Sequence, residues 1–111
     1  MDPVLDVHTP SRAQAVIVPK GRMDAVTARV LKLRIGELIA EGRSQIVCEL
    51  GEVTSVDSSG LSALVSGLKL ARENGGFFRV AGVNEQVSDI FKLTMLDRVF
   101  ELHPTVEAAL E

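Results

Sequence analysis

The sequence predicts an α/β fold: one domain over residues 1–111, built as a mixed, mostly parallel β-sheet with helices packed against it. Three observations carry that expectation. Short apolar runs rich in β-branched residues alternate with longer stretches whose apolar residues recur at i, i+3, i+4 and i+7. Turn residues such as Thr9-Pro10, Gly42 and Gly75-Gly76 separate them. The 111 residues, 46% of them hydrophobic, suit one packed core and leave little room for a second.

Taken in order, Val4 to His8 reads as a short strand, followed by the turn cluster Thr9-Pro10-Ser11-Arg12. Ala15 to Val18 reads as a second strand, antiparallel to the first because the connection is short, with Pro19 limiting the ladder at its end. Gly21-Arg22-Met23-Asp24 leads into a long helix. Asp24 suits its N-cap, Leu31, Ile35, Leu38 and Ile39 form its apolar stripe, Val26, Val30 and Leu33 extend that stripe, and Gly42 fits just past its end. Ile46 to Leu50 is expected as a third and central strand. A helix from the Asp57-Ser58-Ser59-Gly60 junction, with Leu61, Leu64, Val65 and Leu68 on one face, ends at Gly75-Gly76. Phe77 to Ala81 is a fourth strand. Asn84 can cap a shorter helix with Val87, Ile90 and Phe91 inward, Val99 to Leu102 reads as a last strand, and Pro104 suits the first turn of a final helix facing inward through Val106, Ala109 and Leu110. Two strands followed by alternating helices and strands imply parallel strands joined by right-handed crossovers.

Composition narrows the function classes. There is no Trp or Tyr, so the core is aliphatic and base-stacking platforms for single-stranded nucleic acid are disfavoured. A net charge of -3 leaves no electrostatic footprint for nucleic acid or an anionic membrane. The single Cys48 sits in an apolar run and reads as a small core residue. No apolar stretch approaches the roughly 20 residues needed to span a bilayer. Met1-Asp2-Pro3-Val4 lacks a basic segment followed by an apolar one, so a cytoplasmic protein is the expectation.

The chain is organised around Val56-Asp57-Ser58-Ser59-Gly60-Leu61, where a strand hands over to a helix. A helix start leaves its first N–H groups unpaired and carries a partial positive charge. Asp57 or Ser58 can simply cap such a helix. Alternatively a serine there is placed to carry a phosphate, because helix N-termini tolerate anions. Hydrolase chemistry fits poorly. The Gly-x-Ser-x-Gly elbow is absent, since Val56 and Asp57 stand two residues before Ser58 and Ser59, and neither His8 nor His103 is placed as a base. Neither glycine-rich phosphate-loop pattern is present. Asp24 and Asp57 are the only carboxylates near the junction, too few to argue for a metal, so neither metal nor cofactor is expected.

Gly21-Arg22-Met23-Asp24, the long helix, the strand Ile46 to Leu50, Val56-Asp57-Ser58-Ser59-Gly60-Leu61 and the tail Leu93 to Phe100 together resemble bacterial anti-sigma factor antagonists, small single-domain proteins of the STAS type. The resemblance spans nearly the whole chain. It implies partner switching, a non-enzymatic role. The unphosphorylated antagonist binds an anti-sigma factor and so frees a sigma factor. That anti-sigma factor, itself a serine kinase, inactivates the antagonist by phosphorylating the junction serine, and a serine phosphatase restores it. Carried over by position, the acceptor is Ser58, with Asp24, Asp57, Ser59, Gly60 and Leu61 at the partner-binding surface. Ser59 competes as an acceptor. Ser55 departs from the aromatic or larger apolar residue that the family often carries, which bears on partner identity more than on fold. The same resemblance admits a different class, a STAS subunit of a membrane transport complex that docks on its ATPase, and a third, a scaffold subunit of a stress-sensing assembly.

Overall fold

The computed structural model describes residues 5–111. Its five-stranded sheet has the order β1 (Leu5–His8), β2 (Gln14–Pro19), β4 (Gln45–Glu49), β6 (Phe77–Ala81) and β7 (Leu102–His103). β1 runs antiparallel to β2, and every other neighbour is parallel. The mixed, mostly parallel sheet is therefore present, and the strand read at Ile46 to Leu50 is its middle one. Val4, read as the start of the first strand, lies outside the described residues.

Period-two alternation divides the sheet into two faces. Ala15, Ile17, Ile46, Cys48, Phe78 and Val80 enter the main core with Leu31, Ile35, Leu38, Leu64, Leu68, Val87 and Phe91. Those helical residues belong to α1 (Ala25–Ala40), α2 (Ser58–Glu73) and α3 (Glu85–Leu93). Val16, Val18, Val47 and Ala81 form a smaller cluster on the other face with Ala109, Val106 and Leu110 of α4 (Val106–Leu110). Central strands buried on both faces explain why the runs Ala15–Val18 and Ile46–Cys48 are continuously apolar.

A second sheet was not anticipated. β3 (Gly21–Met23) and β5 (Val53–Val56) form a two-stranded parallel ladder, with Met23 opposite Val56 and Arg22 opposite Ser55. Both strands are very short and neither carries a long β-branched run. Met23 and Val53 anchor the ladder by full burial in the main core.

Other boundaries differ from expectation. Val26 and Leu33 do not extend the buried stripe of α1: they are 56% and 66% exposed. α1 rests on the sheet and has α2 on one flank only, so its buried face is the narrower set Thr27, Ala28, Leu31, Ile35 and Leu38. On α2, Val65 is exposed, whereas Gly67 is buried. A β-carbon on Gly67 would lie 2.9 Å from both Ile35 and the Phe78 ring, so α2 lies close against α1 and β6 there. The expected strand Val99–Leu102 shrinks to Leu102–His103. A 3-10 turn occupies Leu96–Arg98, and Phe100 turns inward, its ring 6.1 Å from Phe78 and 5.7 Å from Phe91. Aromatic packing takes precedence over pairing at that point. Pro104 precedes α4 rather than opening it, since Thr105 is the N-cap. Gly42 has φ +90° and terminates α1, as its place in the sequence suggests.

Candidate functional site

The small β3–β5 ladder brings two helix starts together. Each strand runs directly into a helix, and each helix begins on an aspartate. Asp24 caps α1, its carboxylate accepting from the Val26 and Thr27 N–H groups at 3.2 and 3.1 Å. Asp57 caps α2, accepting from the Gly60 N–H at 3.0 Å. Because Met23 and Val56 are in register, these caps follow side by side, and the Asp57 N–H donates to the Met23 carbonyl at 3.2 Å. Thr27 braces the first turn from beneath: it is buried, and its hydroxyl donates to the Arg22 carbonyl at 2.9 Å. Sequence reading overlooks Thr27. Its one signal is a small polar residue at a position one turn before Leu31 on the buried face.

Gly60 explains the composition of the junction. A β-carbon there would lie 2.6 Å from the Met23 carbonyl oxygen and 2.9 Å from both the Met23 and Val56 side chains. Only glycine lets the first turn of α2 settle against the end of β3. That seating buries Gly60, leaves Ser58 and Asp57 exposed, and holds Ser59 half-buried. Leu61 is half-buried against the core and anchors the helix on its inner side. Of the site residues expected from the sequence, Asp57 and Ser58 are exposed and Asp24 and Ser59 half-buried, while Gly60 and Leu61 shape the turn from behind.

Beside Ser58 lies an open depression between α1 and α2. Ala25, Ala28, Arg29 and Lys32 line it from α1; Ser58, Ser59 and Ser62 line it from α2. The spacing accounts for this: residues 25, 28, 29 and 32 share one flank of a helix, and 58, 59 and 62 share another. Arg29, Lys32 and Ser62 escape notice in the sequence, where an isolated pair of basic residues reads as an ordinary solvated face. No histidine lines this depression. His8 lies on β1 and His103 on β7, the two edge strands of the main sheet. Among the described residues no group of three His, Cys, Asp or Glu could hold a metal.

The electrostatics of the site are two-sided. Hydrogen bonding from the Thr27 backbone N–H holds the Asp24 carboxyl below the usual carboxylate range; burial opposes this, and the Thr27 side chain, the Val26 N–H and the Arg22 charge assist. Asp24 therefore stays ionised at neutral pH next to the Asp57 cap. The Arg29 and Lys32 cations line the depression beside Ser58. The arrangement offers an exposed hydroxyl on a helix's first turn, with two capping carboxylates and two cations in its neighbourhood.

Comparison with known proteins agrees with this architecture. The STAS domain family profile matches residues 5–109. A Thermotoga maritima protein, provisionally assigned as an anti-sigma factor antagonist, is 31% identical over 97 residues, 86% of this chain and 86% of its own. Its crystal structure superposes with a TM-score of 0.84 at 28% identity, covering 96% of this chain and 91% of that one. The crystal structure of an anti-sigma factor antagonist from Mycobacterium paratuberculosis superposes with a TM-score of 0.82 at 29% identity, over 96% of this chain and 90% of that one. The anti-sigma-B factor antagonist of Bacillus subtilis is 25% identical over 91 residues, 82% of this chain and 83% of its own.

Proposed function

The chain belongs to the STAS domain family, and from that premise we propose that it is an anti-sigma factor antagonist switched by phosphorylation of Ser58. In its unphosphorylated form it binds an anti-sigma factor that is a serine kinase, and so frees a sigma factor in the cytoplasm. Phosphate on Ser58 ends that binding, and a serine phosphatase restores it. The protein itself binds and is modified; it does not catalyse.

One observation carries this reading. The β3–β5 register presents an exposed Ser58 at a helix start, flanked by the paired caps Asp24 and Asp57. A kinase needs an accessible hydroxyl in a fixed pose, and the turn held by Gly60 supplies both. A phosphate adds about -1.5 to -2 charges at neutral pH. Set beside the Asp24 and Asp57 carboxylates, it would make the patch strongly negative, and a partner that meets the patch with an apolar or acidic surface would be repelled. A penalty of about 3 kcal/mol would weaken binding more than 100-fold.

Wild type, Ser58→Ala and Ser58→Asp serve as baits in a native lysate. Recovery of an anti-sigma serine kinase by the first two and not by the third is the expected result. The recovered kinase should then transfer phosphate from ATP to wild type and to Ser59→Ala, but not to Ser58→Ala. Equal recovery on all three baits, or labelling that survives Ser58→Ala, would refute the switch.

A further inference from the structure

We propose that Arg29 and Lys32 form an internal clamp for a phosphate on Ser58, drawing it into the α1–α2 depression. The inference rests on Ser58 as the acceptor, and deepens that reading by naming what the phosphate meets in its own chain. Three features of the depression support it. Arg29 and Lys32 line the same hollow as the Ser58, Ser59 and Ser62 hydroxyls. Neither cation takes part in an ion pair or a side-chain hydrogen bond among the described residues; Arg12, Arg22, Lys69, Arg72, Lys92 and Arg98 share that state, so what marks Arg29 and Lys32 is their place beside Ser58. Ala25 and Ala28 also line the hollow, and their small side chains leave it open.

An arginine fork and a flexible ammonium are complementary donors for a phosphate's oxygens, and the Ser59 and Ser62 hydroxyls can add neutral hydrogen bonds. The charges facing the phosphate are then Asp24 from the cap of α1, Asp57 from the cap of α2, Arg22 from β3, and Arg29 and Lys32 from the flank of α1. The clamp makes the switch more than repulsion. Phosphorylation would add negative charge beside the caps and at the same moment withdraw two cations from the surface offered to a partner.

The test uses full-length protein with phosphoserine installed at position 58 during translation, so no kinase is needed. The second ionisation of the phosphate is followed by 31P NMR titration in otherwise wild-type protein, in Arg29→Gln/Lys32→Gln and in Lys69→Gln. Lys69 stands eleven residues along α2 from Ser58, about 16 Å by helix rise, and so controls for the loss of a remote cation. Cations favour the dianion, so the ionisation should fall lower in wild type than in the double variant by about half a pH unit or more, with Lys69→Gln matching wild type. Asp24, Asp57 and the helix dipole are common to all three and cancel. Arg29 and Lys32 are both exposed, so their replacement should leave the fold intact. As a second readout, phosphate should raise the melting temperature more in wild type than in the double variant. Titrations that coincide for wild type and the double variant, an upward shift of the ionisation with Lys69→Gln equal to that of the double variant, or a phosphate-induced rise in melting temperature that is the same in the double variant as in wild type, would overturn the clamp. Ser58 as kinase target would survive that result, and a failure to find any kinase would leave the titration curves, and what they say of the clamp, unchanged.

Discussion

Gly60 is the residue on which the junction depends most. Alanine is ordinarily the better helix former by about 1 kcal/mol. Here its β-carbon would meet the Met23 carbonyl at 2.6 Å, a backbone atom that cannot swing aside. Gly60→Ala should therefore destabilise the domain by about 1–3 kcal/mol despite the gain in propensity, and should displace Ser58 from its pose. Urea denaturation reads the first effect, and the rate of Ser58 phosphorylation the second; an alanine variant as stable as wild type would contradict the packing described. Asp24 makes a separate, pH-dependent contribution. Its folded pKa lies below the ordinary 3.8, so its stabilisation is complete above that value and is lost as pH falls through the folded one. Asp24→Asn keeps a capping oxygen but not the charge. The stability difference between the two proteins should be constant near pH 7 and vanish in strong acid, as equilibrium denaturation across pH would reveal. Cys48 is the opposite kind of residue. Burial, with help from the Glu49 charge, pushes its thiol up to about 12. Thiol reagents at neutral pH should modify it only at the rate of unfolding.

At the scale of elements, legibility in the sequence follows periodicity. α1, α2, β2, β4 and β6 are readable because each carries a sustained apolar period, and burial on both sheet faces makes the central runs continuous. β3 and β5 are hidden because three or four residues are too few to show a period, and their pairing depends on Met23 and Val53 reaching a core built by distant elements. The caps Asp24, Asp57 and Asn84 are visible as residue types, but their adjacency is not, since it arises from that same pairing. Phe100 reads wrongly as a strand residue because its packing against Phe91 of α3 and Phe78 of β6 is a tertiary contact that no local period shows. Arg79 reads only as a polar residue inside a strand. It stacks 3.8 Å from the Phe77 ring and donates to the carbonyls of Ala109 and Glu111 at 2.9 and 3.2 Å. A cation on the C-terminal carbonyls of a five-residue helix is a principal reason that α4 stays docked. Arg79→Gln should raise amide exchange in Val106–Leu110 markedly while leaving α1 and α2 protected; uniform protection in the variant would show that Val106 and Leu110 hold the helix alone.

The whole molecule divides labour between the two sides of its main sheet. The large core lies on one side, with α1, α2 and α3 around it, and the small cluster under α4 lies on the other. The β3–β5 ladder projects both helix starts from this rigid body, so a chemical event at Ser58 acts on a surface rather than on the fold. Ser58 is exposed, donates no hydrogen bond to the core, and sits where a helix dipole welcomes negative charge. A phosphate there breaks no buried contact and meets no steric barrier. The expected outcome is a switch without refolding. In protein carrying phosphoserine at position 58, backbone amide shifts should change near Met23 to Lys32 and Val56 to Ser62, and amide protection in β2, β4 and β6 should be no lower than in the unmodified protein. Loss of protection across those central strands would mean that the phosphate acts by loosening the domain, and that the partner reads stability instead of surface charge.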